Sequence, residues 1–166
     1  MEFSVVYDDI AEQEADFLVS AAETNLQMRG AVAEALRSAG GESLASAAQS
    51  ESPVPLGEVA VTDAYDLDAD YVVHAATTPS YGSQQASAAS IRGATQSTLS
   101  AAEELEGASL IIPVIGTGTA GFEFKEGAHI VCEVVSEHDA TTLDDVCIIT
   151  NSEKEFSSLT RITAMF

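Results

Sequence analysis

The sequence predicts a three-layer α/β domain with a mixed, mostly parallel central sheet. Three observations carry this. Short apolar or alternating runs recur between stretches with helical spacing, so strands and helices alternate along the chain. Hydrophobic residues make up 46% of the 166 positions, enough for a core in one domain spanning residues 1–166. The segment Ile111–Phe122, IIPVIGTGTAGF, passes from an apolar run through three glycines to an aromatic that opens a helical pattern.

The elements follow in order. Phe3–Tyr7 alternates and reads as a strand, and Asp16–Ser20 holds the apolar run FLV of a second. Ala31–Ala39 is alanine-rich and helical, Gly40-Gly41 stops it, and Glu42–Gln49 adds a short helix. Ser52–Gly57 carries two prolines and a glycine and reads as a loop. Glu58–Asp63 alternates, and Asp70–Ala76 reads as a buried strand around Tyr71, Val72 and Val73. Thr77–Ser83 is a loop with Pro79 and Gly82. From Gln84 to Leu105, Ile91, Ala94, Thr98, Ala102 and Leu105 recur at helical spacing. Ser109–Ile115 is a strand, and Phe124–His138 is a helix with Phe124, Ala128, Val131, Val135 and His138 on one face. Asp145–Thr150 is the last strand, and the tail from Glu153 forms a short helix. Ligands of such sheets bind beyond the carboxyl ends of strands. That rule puts Gly116–Gly121 at the ligand edge, with the turns after Tyr7, Ser20 and Ala76 nearby.

Charge excludes several classes of partner. The chain holds 27 Asp+Glu against 6 Lys+Arg, a formal charge of -21, with lysine only at Lys125 and Lys154. An acid excess spread this evenly resembles proteins of salt-accumulating halophiles. Self-repulsion destabilises such a chain at low salt and is screened at high salt. Arg29, Arg37, Arg92 and Arg161 are scattered, so the basic patch required for generic nucleic-acid binding is missing. No apolar run approaches the roughly 20 residues of a bilayer span. The N-terminus MEFSVVYDDI lacks a basic start and a long apolar stretch, which predicts a cytoplasmic protein. Cys132 and Cys147 fall in helix and strand patterns and read as buried thiols.

A strand that ends in a glycine loop and feeds a helix builds an anion site without cations. The glycines let the backbone approach a phosphate, and the helix start supplies N–H groups. Gly116-x-Gly118-x-x-Gly121 matches the dinucleotide fingerprint. It sits late, however, with no second βαβ half behind it, and Ile148-Ile149-Thr150-Asn151 offers no carboxylate for a ribose hydroxyl. No Gly-Lys-Ser/Thr follows, which excludes a Walker loop.

Gly57–Ala75, GEVAVTDAYDLDADYVVHA, followed later by PVIGTGTAGF, resembles the macro domain family, modules that bind ADP-ribose. The resemblance covers roughly Glu2 to Thr150. It implies that Asp9-Ile10 holds the adenine. It implies that Gly116, Thr117, Gly118, Thr119, Ala120 and Gly121 wrap a diphosphate with backbone N–H groups, Phe122 packing beneath. Ala120 stands where the family often has an aromatic against the distal ribose. The family's glycine run before the first helix reads Met28-Arg29-Gly30-Ala31-Val32: Gly30 and Val32 match, and two glycines are missing. Ser20 and Glu23 replace the two asparagines associated with the distal ribose and hydrolysis, and Asn25 follows two residues on. The acidic residue of de-ADP-ribosylating members aligns with Ala33, next to Glu34. Phe156 falls where aromatics stack on adenine in some relatives.

A general base must be ionisable and in reach, so Ala33 cannot serve; Glu23 and Glu34 are the candidates for catalysis. The resemblance therefore implies binding of ADP-ribose or a close derivative with little or no hydrolysis, an ADP-ribosylated macromolecule as partner, and no cofactor. One alternative is an ADP-ribosyl hydrolase or O-acetyl-ADP-ribose deacetylase with non-standard residues. Another is binding of a different adenine nucleotide or an RNA end. His74 reads as a packed strand residue. His129 and His138 are not at ligand spacing, so no metal site is expected.

Overall fold

Side chains alternate across one sheet and feed two separate helical layers. The computed structural model describes residues 1–118 and 121–166. The strands are β1 (Glu2–Tyr7), β2 (Ala15–Glu23), β3 (Val59–Asp63), β4 (Ala69–Thr78), β5 (Ser109–Pro113) and β6 (Asp145–Thr150). The helices are α1 (Ala31–Gly40), α2 (Glu42–Ser50), α3 (Ala88–Glu104), α4 (Phe124–Glu137) and α5 (Glu153–Thr163). A single 3-10 turn, Ile10–Glu12, follows β1. The sheet order is β1-β6-β5-β2-β4-β3. Every pairing is parallel except β3 with β4. The sheet is mixed and mostly parallel, as the alternation of elements predicted.

Phe17, Val19, Val73, Ala75, Leu110 and Ile112 point to the layer of α3, α4 and α5, where Ile91, Leu99, Val131 and Leu159 meet them. Leu18, Ala22, Val72, Ala76 and Ile149 point to the opposite layer and pack on Leu36 and Leu44 of α1 and α2. Both faces of the central strands are thus apolar, the pattern of a covered parallel sheet.

Four boundaries differ from the sequence reading by two residues or more; one is β5, which ends at Pro113 where the sequence reading ran the strand to Ile115. Strand β2 continues past Ser20 to Glu23, because Ala21, Ala22 and Glu23 pair with Ala75, Ala76 and Thr78 of β4. Strand β4 runs on through Thr77 and Thr78, which the sequence assigned to a loop. Helix α3 begins at Ala88 rather than Gln84. Ser87 caps it by accepting from Ser90 N–H, and the Ser90 hydroxyl accepts from Ser87 N–H in return.

One staple joins α3 to the chain before β6. The Glu103 carboxylate accepts from the N–H groups of Thr141, Thr142 and Leu143 and from the Thr141 hydroxyl. Burial pushes its pKa up, but the Thr141 hydroxyl and these three N–H donors outweigh that and hold it down at about 2. Cys132 is buried in α4, and desolvation lifts its thiol to about 12; Cys147 is half-buried and raised for the same reason. His74 is fully buried against the Thr62 hydroxyl at 3.0 Å, and desolvation lowers its pKa to about 4. No helix among the described residues is long and apolar enough to cross a membrane.

Candidate functional site

The carboxyl ends of β1, β2, β4, β5 and β6 open onto a crevice with two lobes. The first lobe is walled by Asp8, Asp9 and Ile10 after β1, by Ile149 and Thr150 at the end of β6, and by Asn151 and Glu155 beyond it. The second is walled by Glu23, Arg29, Gly30, Thr77, Thr78 and Gln84. Ala31, Val32, Pro113, Val114 and Gly118 border both, so the lobes meet between α1 and the loop after β5. The lobes measure about 160 and 280 Å³. Together they fall within the roughly 300–1,000 Å³ of small-molecule sites.

The junction is where an anion fits. Gly30 caps α1 with φ +97° and has no side chain to satisfy the first turn. The leading N–H groups of a helix lack intrahelical acceptors. Here they belong to Ala31, Val32 and Ala33, all of which line the crevice. The dipole adds partial positive charge at that end. Gly118 borders the same junction, and an added Cβ there would meet nothing within 4 Å. Gly116 bends the chain with φ +84°, and a Cβ there would press on Ile91 Cγ1 at 2.8 Å. Gly127 of α4 lets Thr117 settle on the helix, since a Cβ at Gly127 would collide with the Thr117 methyl.

The helix after the glycine loop does not supply the free N–H groups that the sequence suggested. Glu123 caps α4, its carboxylate accepting from Lys125 N–H at 3.1 Å and Glu126 N–H at 2.7 Å. The bonds from Glu126 and Lys125 hold this carboxyl below its ordinary pKa. The uncapped helix start at the crevice is that of α1.

The segment leading to α1 keeps a glycine-like path without its glycines. Met28 is buried with φ +54°, and Leu26 with φ +53°. A non-glycine residue in this region costs roughly 1–2 kcal/mol. The turn brings Arg29 back onto β2, where its Nε and Nη2 donate to the two oxygens of Glu23, each at 3.0 Å. The Glu23 side chain is 18% exposed and that of Arg29 56%. Such a fork-to-carboxylate pair is geometrically specific.

The other predicted residues are placed as follows. Asp9 and Ile10 wall the first lobe, where Asp9 Oδ1 accepts from Ala11 N–H at 3.0 Å and so caps the 3-10 turn. Gly30, Ala31, Val32, Gly116, Thr117 and Gly118 line the crevice. Ser20 stands off its lining: it is 1% exposed on the sheet face it shares with Leu18 and Ala22. Asn25 also stands off, its side chain turned to Gln27 N–H and its own N–H to the Ser80 hydroxyl. Glu34 is on the exposed side of α1, outside both lobes. Gly121 has φ +76° and lies outside the lining, and Phe122 packs partly buried against the α3/α4 core. Phe156 stacks on Tyr7 with centroids 5.9 Å apart, one helical position past Glu155, and does not line the first lobe. Thr119 and Ala120 lie outside the described residues. The sequence reading did not single out Thr77, Thr78, Gln84, Asn151 and Glu155. The strand-end rule points to four of them, because they follow or finish β4 and β6.

Comparisons with known proteins fit this architecture. A family model for the Macro domain matches residues 19–131. An uncharacterized protein of Mycobacterium tuberculosis is 35% identical over 161 residues, 95% of this chain but 44% of that protein. This chain therefore spans less than half the length of its mycobacterial relatives. An uncharacterized protein of Saccharolobus solfataricus is 38% identical over 156 residues, 89% of this chain and 84% of that protein. Among solved structures, a mutant Oceanobacillus iheyensis macrodomain with ADPR superposes with a TM-score of 0.87 at 21% identity, over 97% of this chain and 91% of that one. A Trypanosoma brucei macrodomain in complex with ADP-ribose gives 0.85 at 23% identity, over 96% and 68%. With its sheet order, its crevice and this family match, the chain belongs to the macro domain family.

Proposed function

We propose that residues 1–166 form one domain whose crevice binds ADP-ribose or a close derivative. The diphosphate lies at the junction of the lobes, held by the leading N–H groups of α1 and by the backbone of Gly116–Gly118. Adenine occupies the first lobe, its exocyclic amine donating to Asp9. The distal ribose occupies the second lobe beside Glu23. The observation that carries this reading is the uncapped start of α1, which, with Gly118, borders both lobes of the crevice. It offers positive potential in a chain with a formal charge of -21. The macrodomains with ADPR and with ADP-ribose support the same reading by their fold.

Hydrolysis has less support. Both Glu23 oxygens already accept from Arg29, Ala33 occupies the wall, and Glu34 lies outside the crevice. A general base must be placed on the attacking water, and the Arg29 fork fixes where the Glu23 oxygens can reach. Isothermal calorimetry with ADP-ribose and with AMP, in about 1 M KCl, tests the proposal. A saturable heat with ADP-ribose is expected, with AMP weaker because it lacks the diphosphate. Equal affinity for AMP, or no heat with either, would refute it. Release of free ADP-ribose from a modified protein, abolished in Glu23→Gln, would instead establish the hydrolase.

A further inference from the structure

We infer that the Glu23–Arg29 ion pair sorts ligands by the charge at their far end, admitting an uncharged, hydroxyl-rich group and rejecting one that ends in a phosphate. This rests on the reading of the crevice as a diphosphate site.

Among the described residues that line the crevice, Arg29 is the only cation. Its charge is already matched: Nε and Nη2 each donate to Glu23 at 3.0 Å, which leaves the Nη1 hydrogens and the second Nη2 hydrogen. The pair is fixed from two directions. Glu23 ends β2 just past a register irregularity, opposite Thr78. Arg29 follows the left-handed Met28 and precedes the cap of α1. Neither partner can follow a ligand without leaving the other.

The result is a second lobe with no net charge. Its remaining polar side chains, Thr77, Thr78 and Gln84, are all neutral. A carboxylate has about four acceptor sites, and Arg29 uses one on each oxygen. The two left over suit a pair of neighbouring hydroxyl donors. A terminal phosphate would meet the same lone pairs as a like charge. Taking the Nε/Nη2 edge of Arg29 would break two charge-assisted bonds and strand a carboxylate that is 18% exposed, and the remaining N–H groups carry a charge that Glu23 already offsets. One substitution should therefore reverse the preference. Without the Glu23 charge, Arg29 becomes a free guanidinium at the lobe, a good phosphate partner.

The test compares three ligands by calorimetry: ADP, ADP-ribose, and ADP-ribose carrying a phosphate on its terminal ribose. Titrations run in about 0.1 M and about 1 M KCl, with circular dichroism to check folding at each salt. The wild type is expected to bind ADP-ribose at least tenfold more tightly than the phosphate-ended ligand. Glu23→Gln should bring that ratio to unity or invert it. Arg29→Gln should widen it, because Glu23 is then unpaired. In the double variant the ratio should depart from the sum of the two single effects, the mark of coupled residues. Equal wild-type affinities, or a ratio unmoved in Glu23→Gln, would overturn the role of the pair while leaving ADP binding intact. A wild type that does not bind ADP would remove the crevice reading itself, and the sorting role with it.

Discussion

Two glycines only two residues apart should fail in opposite ways. Gly118 borders both lobes, and a Cβ there meets nothing within 4 Å. Gly118→Val should therefore fold with stability within about 0.5 kcal/mol of wild type, as surface changes do. Its side chain instead projects into the space proposed for the diphosphate. Losing one charge-assisted hydrogen bond there removes about 1.5–3 kcal/mol, between about tenfold and a few hundredfold in Kd. Gly116 is the converse. Its φ of +84° disfavours any side chain, and a Cβ would sit 2.8 Å from Ile91 Cγ1 and 3.1 Å from Ala86 Cβ. The backbone term of about 1–2 kcal/mol adds to overpacking of about 1–3 kcal/mol. Gly116→Ala should lose about 2–5 kcal/mol of stability, or about 4–20 °C in Tm for a chain of this size. Differential scanning calorimetry and ligand titration on both variants make the comparison. A Gly118→Val protein that binds ADP-ribose like wild type, or a Gly116→Ala protein that melts like it, would refute the geometry drawn for this loop.

Three further outcomes follow from charge and hydrogen bonding. The Tm should climb steeply as KCl is raised from about 0.1 to 1 M, because 27 acidic against 6 basic residues repel less at a Debye length of about 3 Å; a flat response would contradict the halophilic reading. Asp9→Asn keeps the cap on Ala11 N–H but turns one acceptor into a donor. It should weaken ADP-ribose binding by about 1–3 kcal/mol and favour the hypoxanthine analogue, whose exocyclic oxygen accepts; unchanged selectivity would remove Asp9 from adenine readout. Glu103 is held at about 2 in the fold, below its unfolded value near 4.5. Its stabilising contribution is therefore complete above pH 4.5 and is lost as pH falls toward 2. Glu103→Gln should cost about 1–3 kcal/mol near neutral pH and little near pH 2, by urea titration, and an equal loss at both would refute the staple.

Legibility in the sequence tracked how local each signal was. Asp145–Thr150 was readable to the residue, because a β-branched run in a covered parallel strand leaves little ambiguity. The end of β2 was not: alanine and glutamate are poor strand formers, and only pairing with β4 draws Ala21–Glu23 into the sheet. The start of α3 was missed because its capping box uses Ser90 where a Glu or Gln is the usual signal. The glycine loop was found, but its helix partner was misassigned. Nothing in the spacing told that Glu123 would fold back on Lys125 and Glu126, leaving the exposed helix start at Gly30 instead. The Glu23–Arg29 pair was also invisible, since six residues apart is no helical or strand neighbour. A left-handed Met28 brings them together, at a place where glycine would have announced the turn.

The central claim is that main-chain N–H groups of α1 and the glycine loop hold a diphosphate. Amide NMR during titration with ADP in about 1 M KCl tests it most directly. The N–H signals of Ala31, Val32 and Gly118 should move furthest and saturate together, while those of Lys125 and Glu126, already bonded to Glu123, stay put. Signals that move first at α4, with α1 unaffected, would contradict it.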